Sequence, residues 1–231
     1  MTDIVSATNL TRRYGEGEAA VDALVDVTVG FPRGAFTAIM GASGSGKSTL
    51  MHCLAGLDTP TSGSVVIDGV ELGPLSDAKL TELRRDKIGF IFQAFNLLPV
   101  LTAEENLVLP LTLAGKKAED GWVEKLITTV GLGDRRTHRP AELSGGQQQR
   151  VAVARALVHK PAVVFADEPT GNLDSKASAE VLKLLRQAVD EFGQTVVMVT
   201  HDPDAAAVAD RLIELADGRI VRDEAVVAAA T

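Results

Sequence analysis

The chain opens on imperfect alternation of apolar and polar residues. "DIVSATNLTRRYG" and "ALVDVTVGFPRG" each end in glycine, the pattern of strands joined as a hairpin. "AFTAIMG" predicts a short buried strand running into a glycine-rich turn. "KSTLMHCLAGL" follows with helical spacing through Leu50, Leu54 and Leu57. "GSVVIDG" and "KIGFIFQ" predict two further strands. From about residue 94 to 159 the spacing turns helical. Thr102, with Glu105 three residues on, fits a capping box opening "AEENLVLPLTLAG". "EDGWVEKLITTVGLG" predicts a second helix stopped by Gly131, and "SGGQQQRVAVARALVHK" a third. Beyond it strands and helices alternate. "AVVFADE" and "TVVMVTHD" are buried strands, and "RLIELADGRIV" closes as a hairpin. Between those two strands, "SKASAEVLKLLRQAVDEFG" puts Val181, Leu184, Leu185, Ala188, Val189 and Phe192 on one face and stops at Gly193. Buried β-branched runs alternating with helices specify an α/β fold with a mostly parallel sheet covered on both faces.

Composition narrows the setting. The 231 residues suit one domain over 1–231, and 45% hydrophobic residues are ample for a core. The formal charge of −8, with no Lys/Arg cluster longer than a pair, argues against nucleic acid as a partner. A single cysteine, Cys53, excludes an internal disulfide and points to a reducing compartment. The start shows no signal-peptide pattern. No apolar run approaches the ~18 residues of a membrane span, so work at a membrane requires another chain to hold this one there.

"GASGSGKS", Gly41 to Ser48, fits G-x-x-x-x-G-K-[ST] between a strand and a helix. Glycines at Gly41, Gly44 and Gly46 let backbone N–H groups turn inward on a phosphate chain, with Ser43 and Ser45 between them. Lys47 adds a point charge, the Ser48 hydroxyl is a Mg²⁺ ligand, and the helix beginning there with Thr49 aims its N-terminus at the anion. A triphosphate site also needs a metal holder and a base, and "VVFADE" ends in both. Neighbours in a strand face opposite ways, so Asp167 faces the metal through its water shell while Glu168 orients and deprotonates the attacking water.

A second anion-binding corner stands at "LSGGQQQR". Ser144 caps the helix to come. Gly145 and Gly146 in its first turn cost about 1 kcal/mol each relative to Ala, which makes sense if a ligand approaches the backbone there, most simply an anion.

With these motifs in order, the chain resembles the ATP-binding subunits of ABC transporters over essentially its whole length. The P-loop at Gly41–Thr49, "FQ" with Gln93, "LSGGQQQR", "VVFADEP", "GNLD" with Asp174 and "THD" with His201 carry the resemblance. It implies a P-loop NTPase fold with a RecA-like core, an N-terminal antiparallel β subdomain and an inserted α-helical subdomain over roughly 94–159. It implies the cofactors ATP and Mg²⁺ and a head-to-tail homodimer in which each ATP lies between the P-loop of one copy and the Ser144, Gly145, Gly146 and Gln147 of the other. By the same resemblance Tyr14 stacks on adenine, and Gln93 contacts Mg²⁺ and senses the γ-phosphate. His201 contacts the γ-phosphate and helps position the water, and Asp174 caps its helix and meets the partner's site. Phe95, Leu97, Leu98 and Pro99 are the expected contact for an integral membrane permease subunit, which would place the chain on the cytoplasmic face of the plasma membrane. Cys53, His52, His138, His159 and Trp122 match no motif and are read as structural or exposed.

"FNLLPVLTAEEN", "LDTPTSG" and "ADEPTGNLDS" resemble the subgroup that powers macrolide export, lipoprotein release and antimicrobial-peptide resistance; Gln148, often Glu in that subgroup, is a departure. Cell-division ATPases, which regulate an extracytoplasmic activity without transport, are near relatives and the alternative reading. A P-loop kinase would share Gly41–Ser48 but would not need the second corner. An ABC ATPase of DNA repair or translation would carry insertions or a second cassette that this chain lacks.

Overall fold

Two long strands near the N-terminus, β1 (Asp3–Tyr14) and β2 (Val21–Pro32), pair antiparallel through several bulges. We follow the chain in a computed structural model that describes residues 2–226. β3 (Phe36–Met40) leads into α1 (Lys47–Leu54); β4 (Ser62–Ile67) and the short β5 (Val70–Glu71) then return to the hairpin, giving an antiparallel sheet in the order β2-β1-β4-β5. After α2 (Asp77–Lys87) and β6 (Ile88–Ile91) come the helices α3 (Ala103–Leu113), α4 (Trp122–Thr129) and α5 (Gly145–Leu157). The chain then runs through β7 (Val163–Asp167), α6 (Ser175–Phe192), β8 (Val196–Val199), α7 (Pro203–Ala206), β9 (Arg211–Ala216) and β10 (Arg219–Ala225).

The second sheet has the order β10-β9-β3-β8-β7-β6, with every pair parallel except β10 on β9. Alternation along β7 separates two cores. Val163 and Phe165 pack with Leu50, Met51 and Leu54 of α1 and with Val5, Leu10 and Phe31 of the antiparallel sheet. Val164 and Ala166 pack with Leu107, Val151, Val153 and Leu185 of α3, α5 and α6. Each fully buried Val, Leu, Met or Phe among them contributes roughly 1.5–3 kcal/mol. The helical stretch 94–159 therefore shares a core with one face of the parallel sheet, while α1 and the antiparallel sheet cover the other.

The expected helix starts and stops are present. Thr102 and Glu105 form the capping box of α3, and Gly131 and Gly193 take φ of 64° after α4 and at the end of α6. One expectation needs correction, and one helix was not foreseen. α1 ends at Leu54, and Gly56, at φ 63°, turns the chain away, so Leu57 lies outside the helix and is 50% exposed. Helix α2 has no counterpart in the apolar pattern. It buries only Leu83 and rests on good helix formers and on the Ser76 cap, whose side chain accepts from Lys79 N.

Candidate functional site

Four sequence motifs leave the carboxyl ends of four neighbouring parallel strands. The P-loop follows β3, His201 lies two residues past β8, Asp167 ends β7, and Gln93 lies two residues past β6. That edge of an open α/β sheet is where ligands bind, because helix N-termini and loop N–H groups converge there.

The P-loop owes its shape to glycines in backbone states closed to other residues. Gly41, Gly44 and Gly46 have φ of 148°, 78° and 103°. A Cβ on Gly41 would lie 2.2 Å from the Leu215 carbonyl oxygen, and one on Gly46 would lie 2.4 Å from that of Ala23. Gly46 caps α1, and Lys47 begins it. The buried Lys47 ammonium donates to the carbonyls of Gly41 (2.9 Å) and Ala42 (2.8 Å) rather than to a carboxylate. Beside it the Ser45 Oγ is buried without a hydrogen-bond partner. A curled loop holding an uncompensated cation and an orphaned hydroxyl is suited to an anion. Ser43, Gly44 and Ser48 face solvent and Thr49 is half-buried.

Strand alternation does not extend from Asp167 to Glu168. The strand stops at Asp167, and Glu168 takes φ of 46° while its N–H donates to the Val199 carbonyl (2.9 Å). This left-handed kink re-aims the carboxylate. Glu168 Oε1 lies 2.9 Å from His201 Nδ1, and the contact raises the histidine pKa, first through the hydrogen bond and then through the carboxylate charge. Burial raises the Asp167 pKa, with His52 and Lys47 opposing it and Glu168 adding to it.

Gln93 turns toward the "GNLD" segment. Its Nε2 donates to Asn172 Oδ1 (3.2 Å), and Asn172 Nδ2 donates back to the Gln93 carbonyl (3.0 Å). Gly171 leaves room for it, since a Cβ there would stand 2.8 Å from Gln93 Nε2. Tyr14, at the end of β1, is 41% exposed. Arg12 covers one face of its ring at 4.4 Å, and its hydroxyl donates to Asp58 Oδ2 at 2.5 Å. It pairs with Val21, two residues before the Ala23 that touches Gly46.

The second corner is not beside the first. Ser144 caps α5 in a capping box with Gln147: Gln147 N donates to Ser144 Oγ (3.3 Å), and Ser144 N donates to Gln147 Oε1 (2.9 Å). α5 belongs to the core on the opposite face of the parallel sheet from α1. Ser144 is exposed at its tip. Gly146 has a packing reason as well as any ligand reason, because a Cβ there would lie 2.9 Å from the Ala177 Cβ of α6. Gly145 has none so strict; its nearest contacts would be Leu173 and Phe95 at 3.6 Å. Asp174 caps α6, accepting from Ala177 N at 2.8 Å.

The donor set fits a hard cation. Ser48, Gln93 and Asp167 offer oxygen ligands, and among the described residues no group of three or more His, Cys, Asp or Glu gathers. So sparse a set of oxygen donors would suit a magnesium ion that takes most of its ligands from phosphate and water. Arg12, Asp58 and Asn172 escaped the sequence reading, since nothing in spacing marks a partner that meets its target only in the fold. Gln149 did carry a signal: it is a polar residue within the apolar stripe of α5.

Comparison with known proteins follows the same lines. A family model described as ABC transporter matches residues 24–171. The chain is 49% identical over 222 residues to the macrolide export ATP-binding/permease protein MacB of Marinobacter nauticus, covering 95% of this chain and 34% of that relative. It thus spans about a third of the length of such relatives. It is 47% identical over 225 residues to the lipoprotein-releasing system ATP-binding protein LolD of Geobacter metallireducens, covering 96% of this chain and 100% of that one. Among solved structures, the dimeric post-hydrolysis state of the ATP-binding cassette MJ0796 bound to ADP and Pi superposes with a TM-score of 0.86 at 44% identity, covering 96% of this chain and 99% of that one.

Proposed function

The chain belongs to the ABC transporter family and is an ATPase cassette of it, and from that premise we propose that two copies close head to tail around two ATP molecules and drive a separate membrane permease. The observation that carries the pairing is the placement of the two anion-binding corners, α1 and α5, on opposite faces of one sheet. A nucleotide held at α1 then meets the α5 corner of another copy, where Ser144 is exposed and Gly145, Gly146 and Gln147 are half-buried, and the symmetry supplies the reciprocal contact. A cleft of about 1060 Å³ opens from Glu168 and His201 along α6, past Ser178 and Lys183.

In this reading Tyr14 presents its free ring face to adenine. The P-loop N–H groups from Gly41 to Thr49 and the Lys47 ammonium hold the phosphates. Ser48, Asp167 and Gln93 would hold Mg²⁺, which when bound would neutralise phosphate charge. Glu168 accepts the proton of the attacking water as general base, and His201 holds that carboxylate and the γ-phosphate in line. Asp174 fixes the start of α6 beside the partner's site.

The permease contact is the segment after Gln93. Leu98 and Pro99 are exposed, Phe95 and Leu97 half-buried, and Val100 and Leu113 are 72% and 73% exposed. An apolar groove of about 360 Å³ lined by Phe90, Phe92, Leu109 and Pro110 lies alongside. No helix among the described residues is long and apolar enough to cross a membrane. The permease would hold the chain at the cytoplasmic face of the plasma membrane. The names of the relatives favour export of a macrolide-like compound or release of a lipoprotein as the coupled work.

Cross-linking tests the pairing. Cysteines replacing Ser43 and Ser144, in a Cys53→Ala, Glu168→Gln background, should join between chains with a short bifunctional reagent only when Mg·ATP is present. Cross-links within one chain, or ATP-independent ones, would overturn it.

A further inference from the structure

Gln149 is a polar residue in the wrong company. It is fully buried on the face of α5 that also carries Ala152, Val153 and Ala156. Its Nε2 donates to the carbonyl of Pro169 at 2.5 Å and to that of Phe92 at 3.3 Å. Phe92 immediately precedes Gln93, and Pro169 immediately follows Glu168. The other end of the same amide, Oε1, is buried with no hydrogen-bond partner.

Packing alone would favour an apolar side chain here, since a buried amide with one end unsatisfied is unfavourable. The donor end, however, reaches two carbonyls just past the ends of β6 and β7, that of Pro169 and that of Phe92, which also accepts from Phe95 N. Those strands are neighbours in the sheet and carry the metal-side and water-side residues away at their ends. One nitrogen thus ties together three segments: the first turns of α5, the loop of Gln93 and the loop of Glu168. Gln149 stands four residues beyond Gly145, so any shift of the α5 N-terminus is felt directly at this nitrogen.

We propose that Gln149 is a positioning residue, which couples the contact made at the N-terminus of α5 to the placement of Gln93 and Glu168 at the chain's own nucleotide. The inference rests on the roles given above to Glu168 and to the α5 corner. Gln149 touches no substrate. It fixes how far the two loops stand from each other and from α5, so that docking of a nucleotide at α5 sets the geometry for hydrolysis on the other side of the sheet.

Gln149→Met keeps the volume and removes both donors. In otherwise wild-type protein, kcat should fall roughly 10²-fold, the loss that about 1 Å of misplacement brings. The ATP concentration for half-maximal rate should move less than about threefold, as for a group that acts after binding. In a Glu168→Gln background the same substitution should leave the ATP-locked dimer intact by gel filtration. Gln149→Asn keeps the amide but is too short to span both carbonyls. It should repeat the split, and it stands in if the Met variant does not fold. A folded variant whose kcat stays within about twofold of wild type would overturn the proposal. So would a joint loss of ATP affinity, dimer and kcat, which marks a mere structural prop. Undiminished hydrolysis in Glu168→Gln alone would overturn the underlying reading instead, and is seen in a different variant.

Discussion

His201 Nδ1 and Glu168 Oε1 meet at 2.9 Å, although their loops leave different strands. The imidazole is largely exposed while the carboxylate is only 18% exposed. The carboxylate raises the histidine pKa, and the histidine occupies one of the two oxygens that would otherwise accept a proton from water. The Glu168 carboxylate, the proposed base, is thus tethered to His201 with no substrate present.

Glu168→Gln should keep ATP binding and lose hydrolysis by roughly 10²–10⁴, the range for removal of a general base. An ATP-bound dimer should then accumulate, visible by gel filtration. Wild-type turnover, or a variant that stays monomeric with ATP, counts against the role.

Lys47→Ala removes the cation that now bonds the Gly41 and Ala42 carbonyls. ATP affinity should drop more than about tenfold, given the strength of charge-assisted bonds to phosphate. Calorimetry with Mg·ATP checks it, and unchanged affinity would remove Lys47 from the site.

The two glycines of the second corner should part company. Gly146→Ala forces a contact with Ala177, 2.9 Å from the new Cβ, and should destabilise the nucleotide-free chain by about 1–3 kcal/mol, as overpacking does. Gly145→Ala meets nothing closer than 3.6 Å and should gain up to about 1 kcal/mol from helix propensity. Urea midpoints decide, and pairing Gly146→Ala with Ala177→Gly should recover much of the loss.

Mixed dimers test which copy each corner serves. One subunit carries Lys47→Ala, the other Ser144→Arg, both in a Glu168→Gln background. Across chains, one site has both lesions and the other none, so about one ATP should be trapped per dimer. No trapped nucleotide in verified mixed dimers, while dimers with a single Lys47→Ala lesion still trap it, would show that Ser144 does not act on the partner's ATP.

Cys53 should be inert in the folded chain. Its thiol is buried, and burial pushes its pKa to about 12. Iodoacetamide at mildly alkaline pH should label it only on unfolding, as intact mass would report.

Much of this was legible in the sequence because local chemistry enforces it. The capping box at Thr102, the helix cap at Ser144, the P-loop glycines and the alternation along β7 are set by residues near one another in the chain. What escaped is what distant residues supply. Strand pleating was expected to separate Glu168 from Asp167, whereas the strand stops at Asp167 and Glu168 has a left-handed backbone held by Val199. The reason for Gly146 lies in Ala177, and the partner of Gln93 is Asn172. Helix α2 was missed because it has almost no buried face to leave a period.

The alternation along β7 has a kinetic meaning. Under the proposed head-to-tail pairing, a sheet that keeps α1 and α5 on opposite sides would make each chain an incomplete catalyst, and completion would become a collision. Turnover per chain should therefore fall on dilution, with rate rising as the square of protein concentration when free chains predominate. A permease that grips two copies would replace that collision with a high local concentration. The cell could then set the rate of ATP consumption by how the membrane subunit spaces its two guests, without altering a single residue of the site.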